Sequence, residues 1–193
     1  MMRKFLLFGR TGVGKSSFVN TTFGDYIAET SEFEACTKFV EHYAYDTPLG
    51  NVSLIDTPGL AEDDEACDEA YLSLVKAKVD LDEIYATIYV SRLNETRFRP
   101  DEKRTLRLLT NRLGASIWNR SILVLTFAAS VPEEQREEAT SRRILHIEEF
   151  LQTLTLENRL VPQFRNFHEY WLVDNIVSHW APDGVSVLSL LTA

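Results

Sequence analysis

Gly9-Arg10-Thr11-Gly12-Val13-Gly14-Lys15-Ser16-Ser17 is the stretch whose reading decides the fold. Two glycines five positions apart, followed at once by lysine and serine, match the phosphate-loop pattern G-x-x-x-x-G-K-[ST]. Glycine lets the backbone curl tightly, so that successive N–H groups turn inward and form an anion nest at the positive end of a helix. The pattern assigns phosphate contact to Arg10, Thr11, Gly12, Val13, Gly14, Lys15, Ser16 and Ser17. Lys15 is expected to neutralise the β- and γ-phosphates, and the Ser16 hydroxyl to ligate magnesium.

Such a loop must join a buried strand to a helix, and the flanks agree. Arg3 to Phe8 is a short apolar run suited to a parallel strand, and Lys15 to Phe23 reads as a helix closed by Gly24. Lys38 to Asp46 and Val52 to Asp56 are strand candidates around Thr47-Pro48-Leu49-Gly50-Asn51, which predicts an antiparallel hairpin. A helix over about Ala66 to Lys78 and a strand from Ile84 to Val90 follow. Pro100, Asp101 and Glu102 suit a helix's first turn, Leu106, Leu109 and Leu113 make its apolar stripe, and Gly114 stops it. Ser121 to Phe127 is another buried strand. Ser130-x-x-Glu133 has the form of a capping box before a long helix with Ile144, Ile147, Leu151 and Leu154 on one face. Tyr170 to Val173 is the last strand, and Val185 to Leu191 a terminal helix or docked tail. The expected architecture is a three-layer α/β domain: a mostly parallel six-stranded sheet with one antiparallel hairpin strand and helices on both faces. With no composition shift or linker, residues 1–193 read as a single domain.

The formal charge of −9 opposes broad attraction to nucleic acid or anionic lipid. Cys36 and Cys67 form neither a disulfide framework nor a zinc-like spacing, which fits a reduced compartment. The apolar run in MMRKFLLFG is too short for a secretory signal, and no stretch approaches the roughly 18 apolar residues of a membrane span. A cytoplasmic protein without an intrinsic membrane anchor is therefore expected. The sequons at Asn20 and Asn94 then carry no modification. His42, His146, His168 and His179 show no catalytic or metal-binding spacing.

Asp56-Thr57-Pro58-Gly59 closes the second hairpin strand. An aspartate there, beside the phosphate loop, is placed to hold magnesium through water, and Gly59 to bring its N–H to a γ-phosphate. Between the two motifs runs a polar loop, Asp25 to Thr37. Thr37 is the expected magnesium and γ-phosphate ligand, so that the loop is ordered by triphosphate and released with diphosphate, with Thr30 and Ser31 as competitors. Glu62-Asp63-Asp64-Glu65 reads as a solvated acidic loop able to meet a basic partner.

GRTGVGKSS, LIDTPGL, the block YVSRLNETRFRPDEKRTLRLL, LGASIW and ILVLTFA together resemble the septin-related GTPases, within them the immunity-associated AIG/GIMAP type and the chloroplast import receptors. The resemblance covers Lys4 to about Asn175. It implies a Ras-like G domain of the P-loop NTPase class, binding of GTP and GDP with magnesium, and a homodimer across the nucleotide face in which Arg97 reaches toward the partner's nucleotide. It also places the base. Where many GTPases read guanine with Asn/Thr-Lys-x-Asp, this chain has Thr126-Phe127-Ala128-Ala129, and Phe127 either stacks on a purine or serves as a core or lid aromatic. Asp174 and Asn175 are the alternative readers of the guanine edge, against a plain turn or helix cap.

Hydrolysis requires a water in line with the γ-phosphate and an offset for developing charge. The glutamine that orients water in Ras-like enzymes is Leu60 here, which predicts slow intrinsic turnover, aided by a protein activator or partner. Arg10, Arg92 and Arg97 are the candidates for charge offset. Lys15, Thr37, Gly59 and Arg97 thus make up the expected catalytic set, and Ser16, Thr37 and Asp56 the metal set. The leading function is a GTP-hydrolysing switch; the alternatives are a GTP-stabilised oligomerising scaffold with negligible turnover and a P-loop ATPase or small-molecule kinase.

Overall fold

The computed structural model describes residues 2–24, 26–28, 39–47, 50–61, 65–160, 163–174 and 191. The elements run β1 (Met2–Phe8), α1 (Lys15–Phe23), β2 (Glu41–Thr47), β3 (Gly50–Asp56), α2 (Glu65–Lys78), β4 (Ile84–Arg92), α3 (Pro100–Leu113), β5 (Ser121–Thr126), α4 (Glu133–Glu157) and β6 (Glu169–Leu172). The six strands lie in the order β2-β3-β1-β4-β5-β6. Among the described residues, only the β2–β3 pairing is antiparallel.

The period of a strand explains the layers. Along β1, Leu6 and Phe8 join one apolar core, with Leu72 and Val75 of α2, Leu106 of α3 and Ile147 of α4. Phe5 and Leu7 point the other way, to Phe18 and Val19 of α1, Trp171 of β6 and Leu191. A strand buried on both faces has no polar alternate positions, which is why the buried part of β1, Phe5 to Phe8, reads as a continuous apolar run. The three-layer α/β sheet expected from the sequence is the fold observed. It puts the carboxyl ends of β1, β3, β4 and β5 on one edge, where the phosphate loop emerges.

Several boundaries differ for physical reasons. β5 stops at Thr126 because Phe127 turns left-handed, with φ 57°. The capping box at Ser130 does not form. Ser130 belongs to a 3₁₀ turn, Ala128–Ser130, and Pro132 precedes the helix with no side-chain cap. Proline's fixed φ sets the entry there, and Glu133 and Glu134 face the positive helix end instead. β2 begins at Glu41. Lys38, Pro48, Leu49 and residues 185–190 lie outside the described residues. Leu191 is buried, and its carbonyl accepts a hydrogen bond from Arg3 at 3.3 Å.

Candidate functional site

The loop between β1 and α1 is shaped by close approaches that only glycine permits. A Cβ on Gly9 would stand 2.5 Å from the Val90 carbonyl oxygen of β4, and Gly12 and Gly14 adopt φ of +74° and +92°. α1 starts at Lys15 with no side chain capping it, so its first N–H groups face the loop. The Lys15 ammonium folds back and donates to the carbonyls of Gly9 at 3.3 Å and Arg10 at 3.2 Å. Ser16 Oγ donates to Asp56 Oδ2 at 2.7 Å, and Asp56, fully buried at the end of β3, accepts from the Thr57 N–H at 3.0 Å. A hydroxyl and a carboxylate converging beside an anion nest are the hard oxygen donors that magnesium takes, so Ser16 and Asp56 fit that ion.

The DTPG segment is hooked directly onto this loop. Leu60 N–H donates to the Gly9 carbonyl at 3.2 Å, and Thr11 N–H to the Leu60 carbonyl at 3.1 Å. A Cβ at Gly59 would come within 2.1 Å of Thr11 Oγ1, so this position too must be glycine. The Leu60 side chain is buried in the core with Leu72 and Tyr89. Ala61 follows at φ 62°, a conformation held by Asp68 of α2, whose two carboxylate oxygens accept its N–H at 3.0 and 3.1 Å. Thr37, its competitors Thr30 and Ser31, and residues 62–64 lie outside the described residues. The segment leading toward Thr37 is pinned at its start. Asn20 Nδ2 donates to the Ala28 carbonyl, and its Oδ1 accepts from the N–H groups of Ile27 and Ala28, at 2.8–3.0 Å. Asn20 is 1% exposed, which closes that sequon in the folded chain.

On the base side, Thr126 is a brace. Its buried hydroxyl bonds the carbonyls of Val13, at 2.7 Å, and Ser91, at 3.1 Å, tying the phosphate loop to β4 and β5. The left-handed turn at Phe127 presents its ring to Arg92, whose guanidinium lies 4.1 Å from the ring centroid. Asp174 Oδ1 accepts from the Ala129 N–H, so the two segments proposed for base reading are brought together. Asn175 lies outside the described residues.

The three candidate arginines have different surroundings. The Arg10 guanidinium is buried and bonds Asp101 at 2.7 Å and also Glu95. Burial alone would lower its pKa, yet the three carboxylates Glu95, Glu102 and Asp101 raise it. The same contact works on Asp101: burial pushes its pKa up, but Arg10 outweighs this and holds it below the ordinary value. Arg10 therefore contributes its backbone to the loop, while its charge is committed elsewhere. Arg92 stacks on Phe127. Arg97 is exposed, and its carbonyl accepts from Arg143 Nη1 at 3.1 Å.

Arg143, Glu102 and Ser91 were not singled out by their sequence pattern. All three are buried: Arg143 bonds Glu102 and, at 2.8 and 3.1 Å, the Ser91 hydroxyl, which donates to Glu102 Oε1 at 2.6 Å. Tyr89 sits against this group with its hydroxyl fully buried, and burial followed by the Glu102 charge raises its pKa well above the usual tyrosine range. Glu102 had an ordinary explanation as a first-turn acid, and Arg143 is one charge among many on a long helix. Nothing local marks their pairing.

The comparisons with known proteins agree with this geometry. The AIG1 family model matches residues 3–168. The chain belongs to the AIG1 family. It is 35% identical over 127 residues to "GTP-binding protein A" of Dictyostelium discoideum, covering 65% of this chain and 28% of that protein. Against "Translocase of chloroplast 33, chloroplastic" of Arabidopsis thaliana it is 33% identical over 141 residues, 72% of this chain and 46% of that protein. It thus spans less than half the length of either relative. A solved structure of Arabidopsis Toc33 "in complex with GDP and Mg2+" superposes with a TM-score of 0.76 over 99% of this chain and 81% of that one, at 24% identity. Another is titled "Dimerization is important for the GTPase activity of chloroplast translocon components atToc33 and psToc159" (TM-score 0.78, 24% identity, 98% and 80% covered). These superpositions establish the shared P-loop GTPase fold. No helix among the described residues is long and apolar enough to cross a membrane.

Proposed function

We propose that this chain is a single G domain, residues 1–193, that binds GTP and GDP with magnesium and hydrolyses GTP to GDP and phosphate as a conformational switch in the cytoplasm. The observation that carries the reading is the convergence of Lys15, Ser16, Asp56 and Gly59 on one glycine-built loop. On nucleotide binding, the Lys15 ammonium exchanges two neutral carbonyls for phosphate oxygens, a stronger charge-assisted contact. Ser16, Thr37 and Asp56 would hold magnesium, which would supply positive charge to offset that on the phosphates. Gly59 supplies an N–H to the γ-phosphate. Phe127 offers a face to the purine, Asp174, one oxygen engaged by Ala129, offers the other to the guanine N1–H and amine, and the role assigned to Asn175 is a contact to O6 or N7.

Pairing of two copies across the nucleotide face, with Arg97 directed at the partner's nucleotide, supplies the charge offset that Arg10 and Arg92 do not. Support comes from the exposure of Arg97 and from the dimerisation reported for Toc33. A competition between GDP and ADP tests the base assignment: GDP is expected to win decisively, and comparable affinities would return the ATPase reading. The burial of Leu60 favours a second reading, a GTP-stabilised scaffold with negligible turnover. Single-turnover phosphate release at nanomolar and at high-micromolar protein separates the two, since a rate that stays negligible at both concentrations belongs to the scaffold.

A further inference from the structure

The segment from Leu93 to Arg99, which carries Arg97, is held to the phosphate loop by charge. Arg10 sits in that loop, where its carbonyl accepts from Lys15 while its guanidinium bonds Glu95 and Asp101. Glu95 in turn lies 3.8 Å from Arg143, and Arg143 reaches past it to bond the backbone carbonyl of Arg97 itself. A continuous path therefore runs from the phosphate-binding lysine, through Arg10, Glu95 and Arg143, to the backbone of Arg97. Apolar anchors flank the segment: Leu93 is buried in the core before it, and Phe98, one residue beyond Arg97, packs on Phe150 and stacks on His146. Between these anchors a cavity of about 260 Å³ lies between Asn94, Glu95 and Thr96 and the α4 residues Gln135, Ala139 and Arg142, and there the link to α4 is the approach of Glu95 to Arg143.

We propose that Glu95 and Arg143 are positioning residues for the Arg97 loop, linking occupancy of the phosphate loop to presentation of Arg97. This rests on the reading of Arg97 as the residue offered to a partner copy. When Lys15 leaves the Arg10 carbonyl for phosphate, the backbone of Arg10 loses one of its two bound donors, and the guanidinium on the same residue passes the adjustment to Glu95 and Arg143. The outcome is nucleotide-dependent placement of Arg97 with no contact between the two positioning residues and the nucleotide.

Glu95→Gln keeps the side chain's size and removes its charge, and Arg143→Lys keeps the charge and removes the fork that spans Ser91, Glu102 and Arg97. Dimer Kd is measured by sedimentation with GDP and with a non-hydrolysable GTP analogue, and kcat and KM at high protein concentration. For either folded variant, the dimer Kd with the analogue is expected to rise about tenfold and kcat to fall in step, with monomer GDP affinity and KM within about twofold of wild type. Arg97→Ala should do the same, and Arg97→Ala combined with Glu95→Gln should be no worse than Arg97→Ala alone. If Arg97→Ala weakens the dimer while both positioning variants match wild type, the inference is overturned and the proposed function stands. If Arg97→Ala has no effect, the dimer reading falls and takes the inference with it.

Discussion

The phosphate loop and the Arg97 segment face the same edge of the sheet but are built by opposite means. Residues 9–17 derive their shape from backbone: left-handed glycines, a Gly9 pressed on β4, and main-chain bonds to Leu60. The Arg97 segment is held by side-chain charge: its own Glu95 and the neighbouring Asp101 meet two arginines from distant stretches, Arg10 and Arg143. A site made from contiguous backbone tolerates change in its neighbours and fails when its own residues change. A segment held by buried ions depends on every partner, because removing one leaves another uncompensated. The first design ties function to a short motif; the second ties stability and function together.

That contrast can be broken by experiment. The largest effect is expected for Arg143→Met, which strands the buried Glu102 carboxylate: about 3–5 kcal/mol of stability lost in urea unfolding. A loss under about 1 kcal/mol would mean the charges are not interdependent as described. Lys15→Ala should show the reverse profile, a fall of roughly 10²–10³ in kcat with an almost unchanged unfolding midpoint. Thr126→Val removes the brace between the phosphate loop and β4 and should cost about 1 kcal/mol, with weaker nucleotide binding measured by calorimetry. The smallest effect concerns pH. Because Arg10 holds the Asp101 carboxyl below its ordinary value of 3.8, Asp101 contributes stability that is full above that value and fades as pH falls through the lower folded value. Asp101→Asn should therefore be less stable than wild type at neutral pH, and the two unfolding curves should converge in strong acid.

The same division governs what could be read from the sequence. The phosphate loop, the DTPG segment and the six strands were legible because each is a local pattern whose spacing reports its own geometry. Phe127 ended β5 a residue early because one left-handed φ is invisible to apolar periodicity, and Pro132 overrode a capping box whose residue types were right. Asp68, Glu102 and Arg143 were missed because their meaning lies in partners 7 to 52 positions away. Asn20 looked like a sequon and proved to be the clasp on the loop toward Thr37.

Leu60 carries a last consequence, for descent. Its backbone clips DTPG to the phosphate loop while its side chain fills the core, so the position has two occupations that glutamine cannot both inherit. Leu60→Gln would bury an amide among Leu72, Tyr89 and their neighbours, at a cost of about 1–3 kcal/mol, and should lower the melting temperature without speeding hydrolysis. On the proposed reading, in which a partner copy supplies what glutamine supplies elsewhere, selection on turnover would act on the surface that meets that copy rather than on this position.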